Sequence, residues 1–263
     1  MRIVLTNDDG FDAPGLAALW QAVDALGDVS VTVVAPLHTH SGCGHVFSER
    51  LLLHTNEVPT IGKVHVVDGS PADCVCAAVH HPRLAAPQWV IAGINAGGNL
   101  GVDIYPSGTV AAARQAAIFG IPAIAVSQLV VAGQPVDWQR ATREAASVLA
   151  ALVRPDEPPP PHADPDLHRL ARQAVTEAPP WPEGTPPCWN VNLPYLPDGQ
   201  AASHVRLAPI SRDAVHLDYT MTDLEDGSQL LDYVGKYHDR PAGRGTDVEV
   251  TFGGAISLSQ VPI

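Results

Sequence analysis

Two aspartates stand side by side in the segment TNDDG, residues 6–10, directly after the apolar, β-branched run Arg2 to Leu5. That run reads as a strand buried on both faces, the pattern of a parallel sheet. Side chains along a strand alternate between faces, so Asp8 and Asp9 converge only if the chain leaves extended geometry at about Asn7 or Asp8, and Gly10 permits that turn. Two carboxylates joined by neutral oxygens are hard ligands of the kind Mg²⁺ and Mn²⁺ take. Asn and Asp are equally ordinary turn formers and helix starters, and the pair alone leaves both readings open.

Three further segments carry polar groups. GINAGGNLG, residues 93–101, follows the strand-like run Trp89 to Ala92, and its glycines let consecutive backbone N–H groups form an anion-binding nest. SGT, residues 107–109, opens a helix, so Ser107, Gly108 and Thr109 offer hydroxyls and the positive end of a helix dipole to a phosphate. An ordinary βα loop with a capping serine has the same composition. Neither dinucleotide-binding nor P-loop glycine spacing is present. The third segment, PLHTHSGCGH at 36–45, contains His38, His40, Cys43 and His45, whose spacing matches no usual zinc module and whose default is a set of solvated loop histidines.

These loops share one sheet edge if the surrounding elements alternate strand and helix. Strands are predicted at Arg2–Leu5, Val29–Ala35, Val64–Asp68, Trp89–Ala92 and Ile121–Ser127. Helices are predicted at Pro14–Leu26, Pro71–Val79, Ser107–Phe119 and Trp138–Leu152. The order implies an α/β fold, a Rossmann-like doubly wound and mostly parallel sheet, with ligands at its carboxyl edge. Residues 1–153 form the α/β core on this reading, and the proline-rich run 154–165 is a surface loop. Residues 166–263 supply the remaining core strands and C-terminal β-hairpin extensions suited to joining subunits, with short strands at Trp189–Leu193, Val205–Ile210, Leu230–Tyr237 and Val248–Leu258.

Composition narrows the partners. The chain of 263 residues has a formal net charge of −13, and Lys63 and Lys236 are its only lysines, so a basic footprint for a nucleic-acid polymer is lacking. No apolar stretch approaches the ~20 residues of a membrane span, and no signal pattern opens the chain, which predicts a cytoplasmic protein. Four irregularly spaced cysteines read as reduced thiols. An anionic ligand would need a metal to help hold it.

Taken in order, TNDDG with APGL (6–16), VVAP (33–36) with SG (41–42), GSPADCV (69–75), AGINAGGNLG (92–101), SGTVAAA (107–113), GIPAIAVS (120–127), NVNLP (190–194) and GTD (245–247) resemble the SurE family of survival-protein nucleotidases. The resemblance implies a homodimeric or homotetrameric metal-dependent 5′/3′-nucleotidase. It would hydrolyse nucleoside monophosphates to nucleoside and phosphate with one divalent cation, Mg²⁺ or Mn²⁺, per subunit. It implies metal ligands at Asp8, Asp9, Ser41 and Asn95, of which Asp8 and Asp9 are the catalytic pair. Phosphate contacts are implied at Asn99, Ser107, Gly108 and Thr109. The D-x-D spacing of aspartyl-phosphate enzymes is absent, which favours direct attack by metal-activated water over a covalent route. This chain departs from the family pattern at His38, Thr39 and His40, where many members carry Arg and Asn, and at Pro106, where many carry Tyr. Two rival readings are a zinc amidohydrolase using the 38–45 loop and a metal- and nucleotide-binding protein without turnover.

Overall fold

The computed structural model describes residues 1–215 and 217–263. In chain order the elements are β1 (Arg2–Thr6), α1 (Pro14–Asp24), β2 (Ser30–Pro36), β3 (Leu52–Val58), β4 (Gly62–Asp68), α2 (Pro71–His80), β5 (Trp89–Ala96), α3 (Gly108–Ile118) and β6 (Ala123–Gln128). There follow α4 (Trp138–Val153), α5 (Pro165–Glu177), β7 (Cys188–Leu193), β8 (Val205–Leu207), β9 (Tyr219–Asp223), β10 (Gln229–Tyr233), α6 (Asp247–Phe252) and β11 (Ile256–Gln260). The main sheet has nine strands in the order β3-β4-β2-β1-β5-β6-β7-β11-β8. From β4 to β7 all neighbours are parallel, whereas β3 and β11 pair antiparallel with β4 and β7.

The alternation of β1 explains its double burial. Ile3 and Leu5 face one core, where α1, α4 and α5 pack, while Val4 faces a second core built with α2 and α3. Ile91 and Ile124 join the first core, and Val90, Ala92, Ala123 and Ala125 the second. The small residues of α3, Ala112, Ala113 and Ala116 among them, bring that helix close to the sheet. The chain leaves β1 towards β2 on one side and returns to β5 on the other. Loops at the carboxyl ends of β1 and β5 therefore flank a topological switch point, the usual ligand crevice of such sheets.

Four features differ from the sequence reading. β3 is an extra strand, and the predicted third strand at Val64–Asp68 is the fourth, β4. Residues 165–177 form α5, capped by Asp164, whose carboxylate accepts from the backbone N–H groups of Asp166 and Leu167. The predicted strand Val248–Leu258 divides into α6 and β11, because the buried Asp247 starts a helix and the turn at Gly253 and Gly254 ends it. Finally, β7, β11 and β8 belong to the main sheet, and the separate C-terminal hairpin is β9 with β10. Among the described residues no helix is long and apolar enough to cross a membrane.

Candidate active site

The turn after β1 is fixed locally. Asn7 donates its side-chain amide to the Gly10 carbonyl at 2.7 Å, and Gly10 takes φ +108°, a region disfavoured for residues with a Cβ. The loop after β2 closes over this turn. His40 N–H donates to the Asp8 carbonyl at 2.7 Å and the Thr39 hydroxyl to the Asp9 carbonyl at 3.1 Å. Ser41 follows His40 directly and lies exposed at the rim of the site.

Asp8 is buried at 3% exposure, with Thr109 Oγ1 donating to its Oδ1 at 2.6 Å. Asp9 is less deep, and its Oδ2 accepts from Ala96 N–H at 3.2 Å. That bond brings the end of β5, and with it Asn95, beside the acidic pair. Asn95 donates its amide to Gly97 O at 2.7 Å, which leaves its Oδ1 as an open acceptor. α3 starts against Asp8. Ser107 caps it by accepting from Val110 N–H at 3.1 Å, and a Cβ at position 108 would lie 2.9 Å from the Asp8 Cβ. Glycine is thus required where the helix start meets the carboxylate.

Asn99 sits further along the same edge and is held on three sides. Its N–H donates to Asn192 Oδ1 at 2.8 Å, and its carbonyl accepts from Asn190 Nδ2 at 2.8 Å and Asn192 Nδ2 at 3.1 Å. Its own amide donates to Ser127 Oγ at 2.7 Å. The flanking loop is tied down from the C-terminal segment. Tyr237 donates to Gly98 O at 2.9 Å, Arg240 donates to Leu100 O at 3.2 Å and Asp103 Oδ2 at 2.6 Å, and Gly101 N–H donates to Asp247 Oδ2 at 2.8 Å.

Seven of the eight predicted residues therefore contact Asp8 or Asp9 or adjoin in sequence a residue that does: those two, Ser41, Asn95, Ser107, Gly108 and Thr109. Ser41 stands at the rim and Asn99 at the ends of β6 and β7. The Thr109 hydroxyl donates to Asp8 Oδ1 at 2.6 Å. Asn190, Asn192 and Ser127 were not predicted. The alternation of Asn with apolar residues in a strand with no exposed face was the available signal, since buried amides need partners.

The charge balance of the crevice favours a cation. Burial pushes the Asp8 carboxyl up to about 6, against the Thr109 hydrogen bond and with help from the Asp9 charge, and burial also raises Asp9 above the ordinary carboxylate range. Among the described residues neither forms an ion pair with a basic side chain. Two carboxylates with neutral hydroxyl and amide oxygens suit a hard divalent ion. The 38–45 loop does not assemble a histidine shell. His45 Nε2 lies 2.7 Å from Gln115 Oε1, and no group of three His, Cys, Asp or Glu side chains suited to a metal occurs among the described residues.

The profile of the survival protein SurE family matches residues 3–216. The chain belongs to that family. It is 38% identical over 267 residues to a protein of Synechocystis sp., covering 100% of both chains. The 5′-nucleotidase SurE 1 of Thermus thermophilus is 38% identical over 256 residues, 89% of this chain and 99% of the relative. The crystal structure of the SurE protein from Aquifex aeolicus superimposes with a TM-score of 0.73 at 27% identity, over 99% of this chain and 93% of that one.

Without a cation, the raised carboxyl of Asp8 has a thermodynamic signature. The native state binds the Asp8 proton more tightly than the unfolded chain, so stability falls as pH rises from the ordinary aspartate value of about 3.8 through about 6. In EDTA at pH 7.5, Asp8→Asn should therefore raise unfolding free energy by about 1–3 kcal/mol, fading towards pH 4.5. Urea denaturation of both proteins at the two pH values checks this. A less stable Asp8→Asn protein at pH 7.5 would contradict the charge balance described here.

Proposed function

We propose that this SurE-family chain is a divalent-metal-dependent 5′-nucleotidase that also accepts 3′ esters, releasing phosphate from nucleoside monophosphates. The observation that carries the reading is the pair of carboxylates without basic partners among the described residues, Asp8 and Asp9, set against the start of α3. One Mg²⁺ or Mn²⁺ per subunit would be held by Asp8 and Asp9, with Ser41 and Asn95 adding neutral oxygens. The cation supplies charge neutralisation at the phosphoryl oxygens and activation of the attacking water.

The remaining work falls to the chain. Thr109 holds Asp8 Oδ1 through its hydroxyl, which orients the second oxygen into the crevice. The N–H of Gly108, at the first turn of α3, is not used by the Ser107 cap and is free to meet a phosphoryl oxygen. Ser107 and Asn99 add polar contacts on either side, and such preset dipoles stabilise the charge that develops as the ester bond breaks. None of these groups adds negative charge near a dianionic substrate. The net charge of −13 argues against a nucleic-acid polymer, and four free thiols fit a reducing cytoplasm.

The decisive assay is phosphate release from a panel of 5′- and 3′-nucleoside monophosphates with Mn²⁺, Mg²⁺ or EDTA. Turnover should require metal, and Asp9→Asn should reduce it by at least about a thousandfold, the scale of losing a principal metal ligand or charge stabiliser. Metal-dependent nucleotide binding without phosphate release would indicate a sensor. Full activity in Asp9→Asn would remove Asp9 from the metal shell.

We also propose that β9 and β10 join subunits into a dimer or tetramer. Tyr219, Met221, Leu230, Leu231 and Tyr233 of this hairpin are all 46–60% exposed, and an isolated two-stranded ribbon is marginal in water. Changing Met221 and Leu231 together to Lys should lower the mass measured by light scattering. An unchanged mass, or a monomeric parent, would refute this assembly.

A further inference from the structure

We propose that Asn192, seconded by Asn190, is a positioning residue for phosphate recognition, acting through the main chain of Asn99. The inference rests on the reading of Asn99 as a phosphate contact and extends it to β7, whose asparagines hold the Asn99 backbone but have been given no part in recognising the substrate. Along β7, Trp189, Val191 and Leu193 point into the first core, so Asn190 and Asn192 share the opposite face. Both are fully buried at 0% exposure. A buried amide costs free energy unless its hydrogen bonds are made; Asn192 makes bonds at both ends of its amide, whereas Asn190 donates one and its Oδ1 has no partner among the described residues.

Both amides meet a single residue. Asn192 grips Asn99 with both ends of its amide, accepting from the N–H at 2.8 Å and donating to the carbonyl at 3.1 Å. Asn190 donates to the same carbonyl at 2.8 Å. A carbonyl oxygen only accepts, so the orientations of both amides follow from the contact itself. The pairing imitates one rung of a β-ladder between a side chain and a loop. It is needed because Gly97, Gly98 and Gly101 around Asn99 carry no side chains to pack and leave the loop with high conformational freedom. With its backbone fixed by β7 and its amide on Ser127 of β6, Asn99 presents one polar geometry to the crevice.

The two asparagines differ in a way that separates positioning from packing. Both are equally buried on the same strand face, yet removal of Asn190 leaves Asn99 both of its Asn192 bonds, whereas removal of Asn192 frees the N–H altogether. The test compares Asn192→Leu and Asn190→Leu with the parent in three measurements: the Kd of Mn²⁺ by electron paramagnetic resonance, the Kd of orthophosphate by calorimetry on the Mn²⁺-loaded protein, and kcat and KM for a nucleoside monophosphate. Asn192→Leu should weaken orthophosphate binding and raise KM by about tenfold, while Mn²⁺ affinity stays within about twofold. Asn190→Leu should change orthophosphate binding by no more than about threefold. Should Asn192→Leu fail to fold, Asn192→Ala removes the same bonds with a void in place of a misfit and carries the same expectation. The proposal is overturned by an unchanged orthophosphate Kd in the Asn192 variant, by equal losses in both variants, or by parallel losses of Mn²⁺ and phosphate affinity. A parent that binds orthophosphate but releases none from nucleotides overturns the nucleotidase reading, while the binding comparison still decides the role of Asn192.

Discussion

A carboxylate buried without a basic partner is costly, and the crevice is arranged around that cost. Asp8 sits beneath α3 with a hydroxyl and a neighbouring acid for company, and its proton affinity is raised accordingly. The geometry that buries it also makes demands on the sequence. The helix start must be glycine at 108, Ser107 caps the first turn through Val110 N–H, and the loop after β2 hydrogen-bonds to the acidic turn through His40 and Thr39. On the function proposed above, a divalent cation would turn that unfavourable burial into an affinity, because the charge that folding leaves unneutralised is the charge it would bind.

The supports around the crevice follow from the same constraint. The loop carrying Asn99 is fixed mainly by neutral groups, the amides of Asn190 and Asn192 and the hydroxyls of Ser127 and Tyr237. Charged supports lie further out, where Asp103 is paired with Arg240 and Asp247 is spent on the N–H groups of Gly101 and Ser211. Neutral amides position backbone without adding a net charge, so a cation and a phosphate could share the crevice without competing ions built into its wall.

The elements that make the crevice were legible because their signals are local. β1 is a continuous β-branched run, the turn after it contains Asn, Asp and Gly, and Ser107 before an alanine-rich segment reads as a helix start. β3 escaped notice because LLHTNEV is an edge strand of mixed polarity, its pairing with β4 set by the turn through Gly62. The segment DVEVTF looks like a strand from its β-branched residues but forms α6, where the bonds of Asp247 to two distant N–H groups override propensity. Asn190 and Asn192 were visible as residues, but their partner lies 91 and 93 positions away, a contact that no local pattern encodes. The commitment of Thr109 to Asp8 was hidden for the same reason, at a separation of 101 residues.

The most direct test of the central claim, that Asp8 and Asp9 bind one divalent cation at the carboxyl edge, is anomalous diffraction from crystals grown with Mn²⁺. The account predicts one strong peak per subunit, within about 2.5 Å of a carboxylate oxygen from both Asp8 and Asp9. A peak on the histidines of the 38–45 loop, or no peak between the two aspartates at saturating Mn²⁺, would contradict it.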